Sequence, residues 1–310
     1  MSGLDQSLAD YLQLRRSLGH QLADAARLLP RFVAWLDTHE TSTVTVAAAV
    51  AWAQESGADS GGTTGSRRMM AVRGFARYLS GIDPDTEIPP TGLMPSRQRR
   101  RPPFLYSPAD IDRIIAQATT SIVPPLRAAT YATLIGLLAA SGLRIGEAIK
   151  LDRGDIDWEQ GVLLIRETKF GKTRLVPLHE TSMRALTDYA ALRDAHRSEP
   201  VQPSFFVARD GQRLCYTVVS TTFRRLVDDS GVGAGAPFPP RLHDLRHVFA
   251  VRALLGWYRT GQDVQARIPS LPTYLGHREP ASTYWYLSAA PELLAAAATR
   301  QHTAWLEVRA

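Results

Sequence analysis

The sequence predicts a mainly α protein with a small β-hairpin, built as two lobes, and three observations carry that reading. Helical periodicity runs through residues 4 to 80, a basic proline-rich break follows near residue 90, and two β-rich runs meet around Phe170-Gly171 in an otherwise helical second half. At 310 residues the chain is long enough for a full hydrophobic core, and two domains are expected. The boundaries fall at 1–90 for a helical domain, 91–104 for a Pro/Arg-rich linker and 105–310 for a mixed α/β domain.

Each element has a local reason. Leu4, Leu8, Tyr11 and Leu12 follow the i, i+4, i+7, i+8 spacing of one buried helical face. A second helix carries Leu28, Leu29, Phe32, Val33 and Leu36, and a third is the alanine-rich run from Val44 to Gln54. The loop GADSGGTTG precedes a fourth, with Met69, Val72, Phe75, Tyr78 and Leu79 on its apolar face. Arg67, Arg68, Arg73 and Arg77 lie on that last helix, where they form either a solvated face or a face that contacts DNA. In IPPTGLMPSRQRRRPP the prolines disfavour helix while Arg97, Arg99, Arg100 and Arg101 crowd together, as in a flexible basic tether or a phosphate-contacting strap. Ser107-Pro108-Ala109-Asp110 then reads as a helix start, with an N-cap serine, proline at the first position and an early acid. A mostly buried helix from Pro125 ends at Ser141-Gly142, and VLLIRETKFGKTRLVPL reads as a hairpin. Helices are expected near 180–195, 216–229 and 243–256, with an alanine-rich helix closing the chain.

Composition narrows the function classes. Lys plus Arg exceed Asp plus Glu by 36 to 30, for a net charge of +6 and a pI near 9.7, which suits a nucleic-acid partner without establishing one. Cys215 is the only cysteine, so an internal disulfide and a cysteine-rich zinc site are excluded. Within the apolar run RLCYTVV it reads as a small core residue rather than a nucleophile. The N-terminus MSGLDQSLADYL is acidic and polar, unlike a signal peptide, and no uncharged apolar stretch approaches the ~20 residues of a membrane span. A cytoplasmic protein is expected.

Six polar residues of the second lobe form a set with chemical meaning: Arg144 in SGLRIGEA, Lys169 in TKFGKTRLVPL, His243 and Arg246 in HDLRH, His277 in LGH, and Tyr286. Two guanidiniums can hold the non-bridging oxygens of a phosphate, a lysine and two histidines can move protons or donate hydrogen bonds, and a tyrosine can attack phosphorus. Such a set requires no metal or other cofactor. Glu147, one helical turn beyond Arg144, is placed to hold its guanidinium. Singly, each residue also has an ordinary reading: a surface Arg-Glu pair, solubilising hairpin lysines, a capping histidine, or core aromatics among Tyr274, Tyr284 and Tyr286.

Taken together, these motifs resemble the tyrosine recombinase (phage-integrase-like) family. Its arginine lies in a GLRxxE turn, its lysine in a hairpin ahead of RLVPL, its next pair in HxLRH, and its last two residues in LGH followed nine residues on by tyrosine. Alignment on RLVPL assigns the lysine to Lys169, with Lys172 the weaker candidate. The resemblance implies a helical core-binding (SAM-like) domain ahead of the catalytic domain. It also implies double-stranded DNA as partner, a homo-tetramer working on two DNA sites, and partner recombinases or directionality factors. Two features depart from the compact resolvase members: a longer segment, RALLGWYRTGQDVQARIPSLPTY, before LGH, and Ser288 where many members carry histidine. The longer segment favours a mobile-element integrase.

In the chemistry the resemblance implies, Tyr286 attacks a DNA phosphodiester to give a 3′-phosphotyrosyl link and a free 5′-hydroxyl. Arg144, Arg246 and His277 neutralise the phosphorane, Lys169 protonates the leaving oxygen, and His243 accepts the tyrosine proton or supports the phosphate. DNA contacts are expected from Arg67, Arg68, Arg97, Arg99, Arg100, Arg101 and Lys172. The alternatives are a non-cutting DNA-binding accessory protein and a topoisomerase IB-like relaxing enzyme; a metal-dependent nuclease is disfavoured because the six residues include no carboxylate.

Overall fold

This computed structural model describes residues 3–55, 64–94, 101–166, 173–196 and 202–276. The chain is mainly helical with one small sheet, as the sequence predicts, and divides into two compact units, residues 1–100 and 101–310.

The first unit packs four helices, α1 (Gly3–Ser17), α2 (Ala23–Thr38), α3 (Val46–Gln54) and α4 (Thr64–Leu79). Its core holds the residues the periodicity singles out: Leu4, Leu8 and Tyr11 from α1, Leu29, Phe32 and Leu36 from α2, and Met69, Val72 and Phe75 from α4. The alanine-rich run becomes α3 because Thr45 caps it, its hydroxyl accepting from the Ala48 N–H at 3.1 Å.

The second unit opens with α5 (Pro108–Ser121). Ser107 and Asp110 form a reciprocal capping box, so two otherwise orphaned N–H groups of the first turn are satisfied. The buried α6 (Pro125–Ser141) packs against α5 and ends at Gly142, which adopts a left-handed φ of 62°. The short α7 (Ile145–Lys150) leads to a three-stranded antiparallel sheet of β1 (Ile156–Asp157), β2 (Val162–Ile165) and β3 (Arg174–Pro177). The expected hairpin is β2–β3, in register Leu163 opposite Val176 and Ile165 opposite Arg174. The strand β1 is an addition: two residues carry too short a pattern for periodicity to register.

Three longer helices follow: α8 (Glu180–His196), α9 (Tyr216–Asp229) and α10 (Leu242–Arg259). The long segment before LGH completes α10 and then enters α11 (Val264–Arg267) and α12 (Ser270–Leu275), whose Val264, Leu271 and Leu275 pack on Val251 and Leu254 of α10. Cys215 corrects the sequence reading. It is exposed, the N-cap of α9, and the apolar run around it straddles a loop-to-helix boundary where only Leu214 and Val219 turn inward. Among the described residues no helix is long and apolar enough to cross a membrane.

Candidate active site

The turn between α6 and α7 presents Arg144 as the N-cap of α7. Glu147, at the third helical position, accepts from the Arg144 backbone N–H through Oε2 at 3.0 Å and from Arg144 Nη1 through Oε1 at 2.8 Å. This carboxylate therefore holds the arginine as expected. The far end of α7 is fastened by Arg213, which donates to the Ile149 carbonyl at 2.9 Å and to Asp152 at 2.6 Å.

Arg246 sits in the second turn of α10 and is 1% exposed. Its Nη1 donates to the Gly142 carbonyl at 2.7 Å and its Nη2 to the Leu275 carbonyl. Arg144 Nη2 donates to the neighbouring Gly276 carbonyl at 2.8 Å, and Arg174 Nε to the Tyr274 carbonyl at 2.9 Å. Three arginines from three elements thus engage three successive carbonyls at the C-terminal end of α12. The last carbonyls of a helix lack intrahelical partners and carry the negative end of its dipole, which is what guanidiniums complement. The α7 turn, β3 and α10 are drawn together at the residues immediately before His277.

Arg174 was not among the candidates, yet the strand pattern contained the signal for it. It shares the face of Val176, which is fully buried, so its side chain turns inward and requires an acceptor there. Glu147 supplies one: Arg174 Nη1 donates to Oε1 at 3.1 Å and Nη2 to Oε2 at 2.8 Å. Burial pushes the Glu147 carboxyl up, but the hydrogen bonds from Arg174 and from the Arg144 backbone, with the charge of Arg174, outweigh it and hold the pKa at about 2.

His243 lies in the first turn of α10, its ring edge-on to that of His247 at 4.8 Å. The residue is exposed, yet its pKa is lowered, first by desolvation and next by the positive charge of Arg246, so the imidazole is mainly neutral at pH 7. Asp244 serves the helix start, accepting from the Arg241 N–H at 2.9 Å. Tyr274 stacks on Phe249 at 5.4 Å, and burial raises its pKa, as befits a packing aromatic.

Of the expected DNA contacts, Arg67 is exposed and held by Asp24 at 2.6 Å, while Arg68 donates to the Trp52 carbonyl at 2.8 Å and lies over the indole of the same residue. Arg101 lies over the Phe238 ring at 5.1 Å, beside a pocket it lines with Arg224 and Arg241. Lys169 and Lys172 belong to the connection between β2 and β3, and His277 and Tyr286 to the chain beyond α12. These four, with Arg97, Arg99, Arg100 and the expected C-terminal helix, lie outside the described residues.

Guanidiniums that converge beside a histidine suit an anionic group such as a phosphodiester. The chain belongs to the phage integrase family, whose sequence profile matches residues 106–292. A protein of Sinorhizobium fredii (strain NBRC 101917 / NGR234) that carries the integrase/recombinase name y4rB is 41% identical over 98% of this chain and 99% of its own length. Tyrosine recombinase XerD of Bradyrhizobium diazoefficiens is 28% identical over 93% of this chain and 86% of its own. In fold, the Tn1549 transposon integrase in complex with transposon right end DNA is similar, with a TM-score of 0.63 at 18% identity over 95% of this chain and 98% of that one. The chain is a tyrosine-type site-specific DNA recombinase.

Proposed function

We propose that the recombinase cuts and rejoins double-stranded DNA through a 3′-phosphotyrosyl intermediate on Tyr286, in the service of a mobile element. The observation that carries this reading is the meeting of Arg144 and Arg246, far apart in sequence, on the adjacent carbonyls of Gly276 and Leu275. Two positive charges brought to neighbouring carbonyls suit a single anion. The sequence spacing that follows, LGH and then a tyrosine nine residues on, supplies the attacking group.

In the reaction, Tyr286 attacks phosphorus and the 5′ oxygen leaves, so one phosphoester replaces another and no external energy source is required. A tyrosine with pKa about 10 is a weak nucleophile at neutral pH, so its proton must find an acceptor as the bond forms. His243, held neutral, is that acceptor. Arg144, Arg246 and His277 stabilise the charge of the phosphorane, and losing one such preorganised donor costs about 100- to 1000-fold in rate. Lys169 protonates the leaving oxygen, with Lys172, three residues on in the sequence, the weaker candidate.

Residues 1–90 act as the core-binding domain, 91–104 as the linker and 105–310 as the catalytic domain. Phosphate contacts come from Arg67, Arg68, Arg97, Arg99, Arg100, Arg101 and Lys172, which makes binding steeply salt-dependent. The working assembly is a tetramer on two DNA sites, with partner recombinases or directionality factors as candidate accessories, in the cytoplasm. The integrase names of y4rB and of the transposon protein, together with the extra segment that forms α11 and α12, support the mobile-element role.

The test is a suicide-substrate assay with nicked DNA from the sequence flanking the gene, resolved on a denaturing gel. Wild type is expected to give a covalent band and Tyr286→Phe to bind the same DNA without one. An adduct from the phenylalanine variant would remove Tyr286 from its role, and relaxation of any supercoiled plasmid without recombinants would favour a topoisomerase IB-like enzyme.

A further inference from the structure

We propose that Arg174 is a positioning residue for the phosphate-binding Arg144, acting through Glu147; the inference rests on the assignment of Arg144 to the scissile phosphate. Glu147 is on α7 and is nearly buried, with 7% of its side chain exposed. Its two oxygens accept four hydrogen bonds, two from the Arg174 fork and two from Arg144, one of them from the backbone. Without Arg174, Oε2 is still held by the Arg144 backbone N–H, but Oε1 is held only by the Arg144 side chain, so that side chain has no fixed partner of its own. The Arg174 fork meets the carboxylate with one nitrogen on each oxygen, and that pairing fixes the carboxylate plane. With the plane fixed, Oε1 holds Arg144 Nη1 in place, and Arg144 Nε, with the N–H groups of Nη1 and Nη2 not used by Glu147 and Gly276, keeps one direction.

Arg174 is itself anchored at a third point. Its Nε donates to the Tyr274 carbonyl, and a Cβ placed on Gly276 would come within 2.9 Å of its Nη1. The guanidinium therefore packs directly on the last turn of α12, against the residue that also accepts from Arg144. With 12% of its side chain exposed against 29% for Arg144, Arg174 is the covered member of the pair and Arg144 the one open to a ligand. The division of labour follows: Arg144 touches the phosphate, and Arg174 sets where Arg144 points.

The chemistry offers a readout that a purely structural role would not move. Arg144 compensates the negative charge on the non-bridging oxygens, and a methylphosphonate at the scissile position removes that charge. A variant that misdirects Arg144 is slow on the phosphodiester and relieved on the methylphosphonate. A variant that merely loosens the fold is slow on both.

The experiment measures single-turnover cleavage by wild type, Arg174→Ala, Arg174→Gln and Arg144→Ala on nicked duplexes carrying either linkage at the position wild type cleaves, with DNA affinity measured in parallel. The glutamine variant keeps a stem and one donor, so β3 stays filled if alanine fails to fold. Both Arg174 variants are expected to cleave the phosphodiester about 10- to 100-fold more slowly than wild type, the range expected when a reacting group is misplaced by up to an ångström. On the methylphosphonate they should fall within about threefold of wild type, a ceiling set by the loss of the charge that Arg144 serves. Equal slowing on both linkages, or none on either, overturns the inference; the site assignment then stands if Arg144→Ala is slow on the phosphodiester and relieved on the methylphosphonate. Full phosphodiester activity in Arg144→Ala overturns the site assignment and the inference with it.

Discussion

The guanidinium of Arg246 reaches the carbonyl of Gly142 at 2.7 Å, joining α10 to the end of α6 across more than a hundred residues of chain. Gly142 stands where only glycine fits comfortably. Its φ is positive, and a Cβ there would meet Phe249 Cδ1 at 2.5 Å and Leu275 Cδ2 at 3.2 Å. The helix stop, the arginine anchor and the packing of α12 therefore meet at one residue.

Gly142→Ala is expected to lower stability by about 2–4 kcal/mol, combining roughly 1 kcal/mol of left-handed strain with about 1–3 kcal/mol of overpacking. Gly154→Ala is the control, because nothing lies within 4 Å of a Cβ at Gly154, and it should stay within about 0.5 kcal/mol of wild type. Urea denaturation measures both. Equal stability of the two variants would mean that the α6 end yields without strain.

Glu147 makes stability depend on pH with a definite sign. Its folded pKa, about 2, lies below the ordinary 4.5, so the folded state favours the ionised form. The contribution is complete above pH 4.5 and is lost as pH falls towards 2, on the order of 3 kcal/mol in all. Wild type should exceed Glu147→Gln by that order at pH 7, and the gap should narrow as pH drops below 4.5. A gap that stays constant from pH 7 to 3 would show that the charge on Glu147 is not what the two arginines hold.

His243 gives the reaction its own pH signature. Because desolvation and the charge of Arg246 lower its pKa below 6.5, the neutral form that accepts a proton persists to more acidic pH than an ordinary histidine allows. The acidic limb of adduct formation should therefore have its midpoint below pH 6.5. NMR titration of the imidazole supplies the pKa directly, and His243→Gln should lack the acidic limb. A rate already halved at pH 6.5 in wild type, tracking a titration of His243 at the same pH, would contradict the lowered value.

Much of this protein is legible in local pattern. Spacing of apolar residues gives α1, α2 and α4, the Ser107-Pro108-Ala109-Asp110 signature gives the start of α5, and glycine ends α6 where a stop is expected. These features depend on neighbours within a few residues, so the chain itself specifies them. Short elements were out of reach for the same reason: β1 has two residues and α11 has four, about one period of their own patterns, so no repeat is there to be seen. Cys215 shows the opposite failure, an apolar run read as core when the helix boundary inside it turns Cys215, Tyr216, Thr217 and Val218 outward.

For the site, the sequence by itself determined which residues are present and in what order: Arg144, Lys169, His243, Arg246, His277 and Tyr286, with Glu147 one turn from its arginine. Only the tertiary structure decided that Arg174, Arg246 and Arg144 would donate in turn to the carbonyls of Tyr274, Leu275 and Gly276. A backbone carbonyl is the same group at every position, so no residue code marks it as an acceptor. What makes these three special is the end of a helix, where partners are missing and the dipole is negative, brought by folding to within hydrogen-bond reach of strands and helices about 30 to 130 residues away in the sequence.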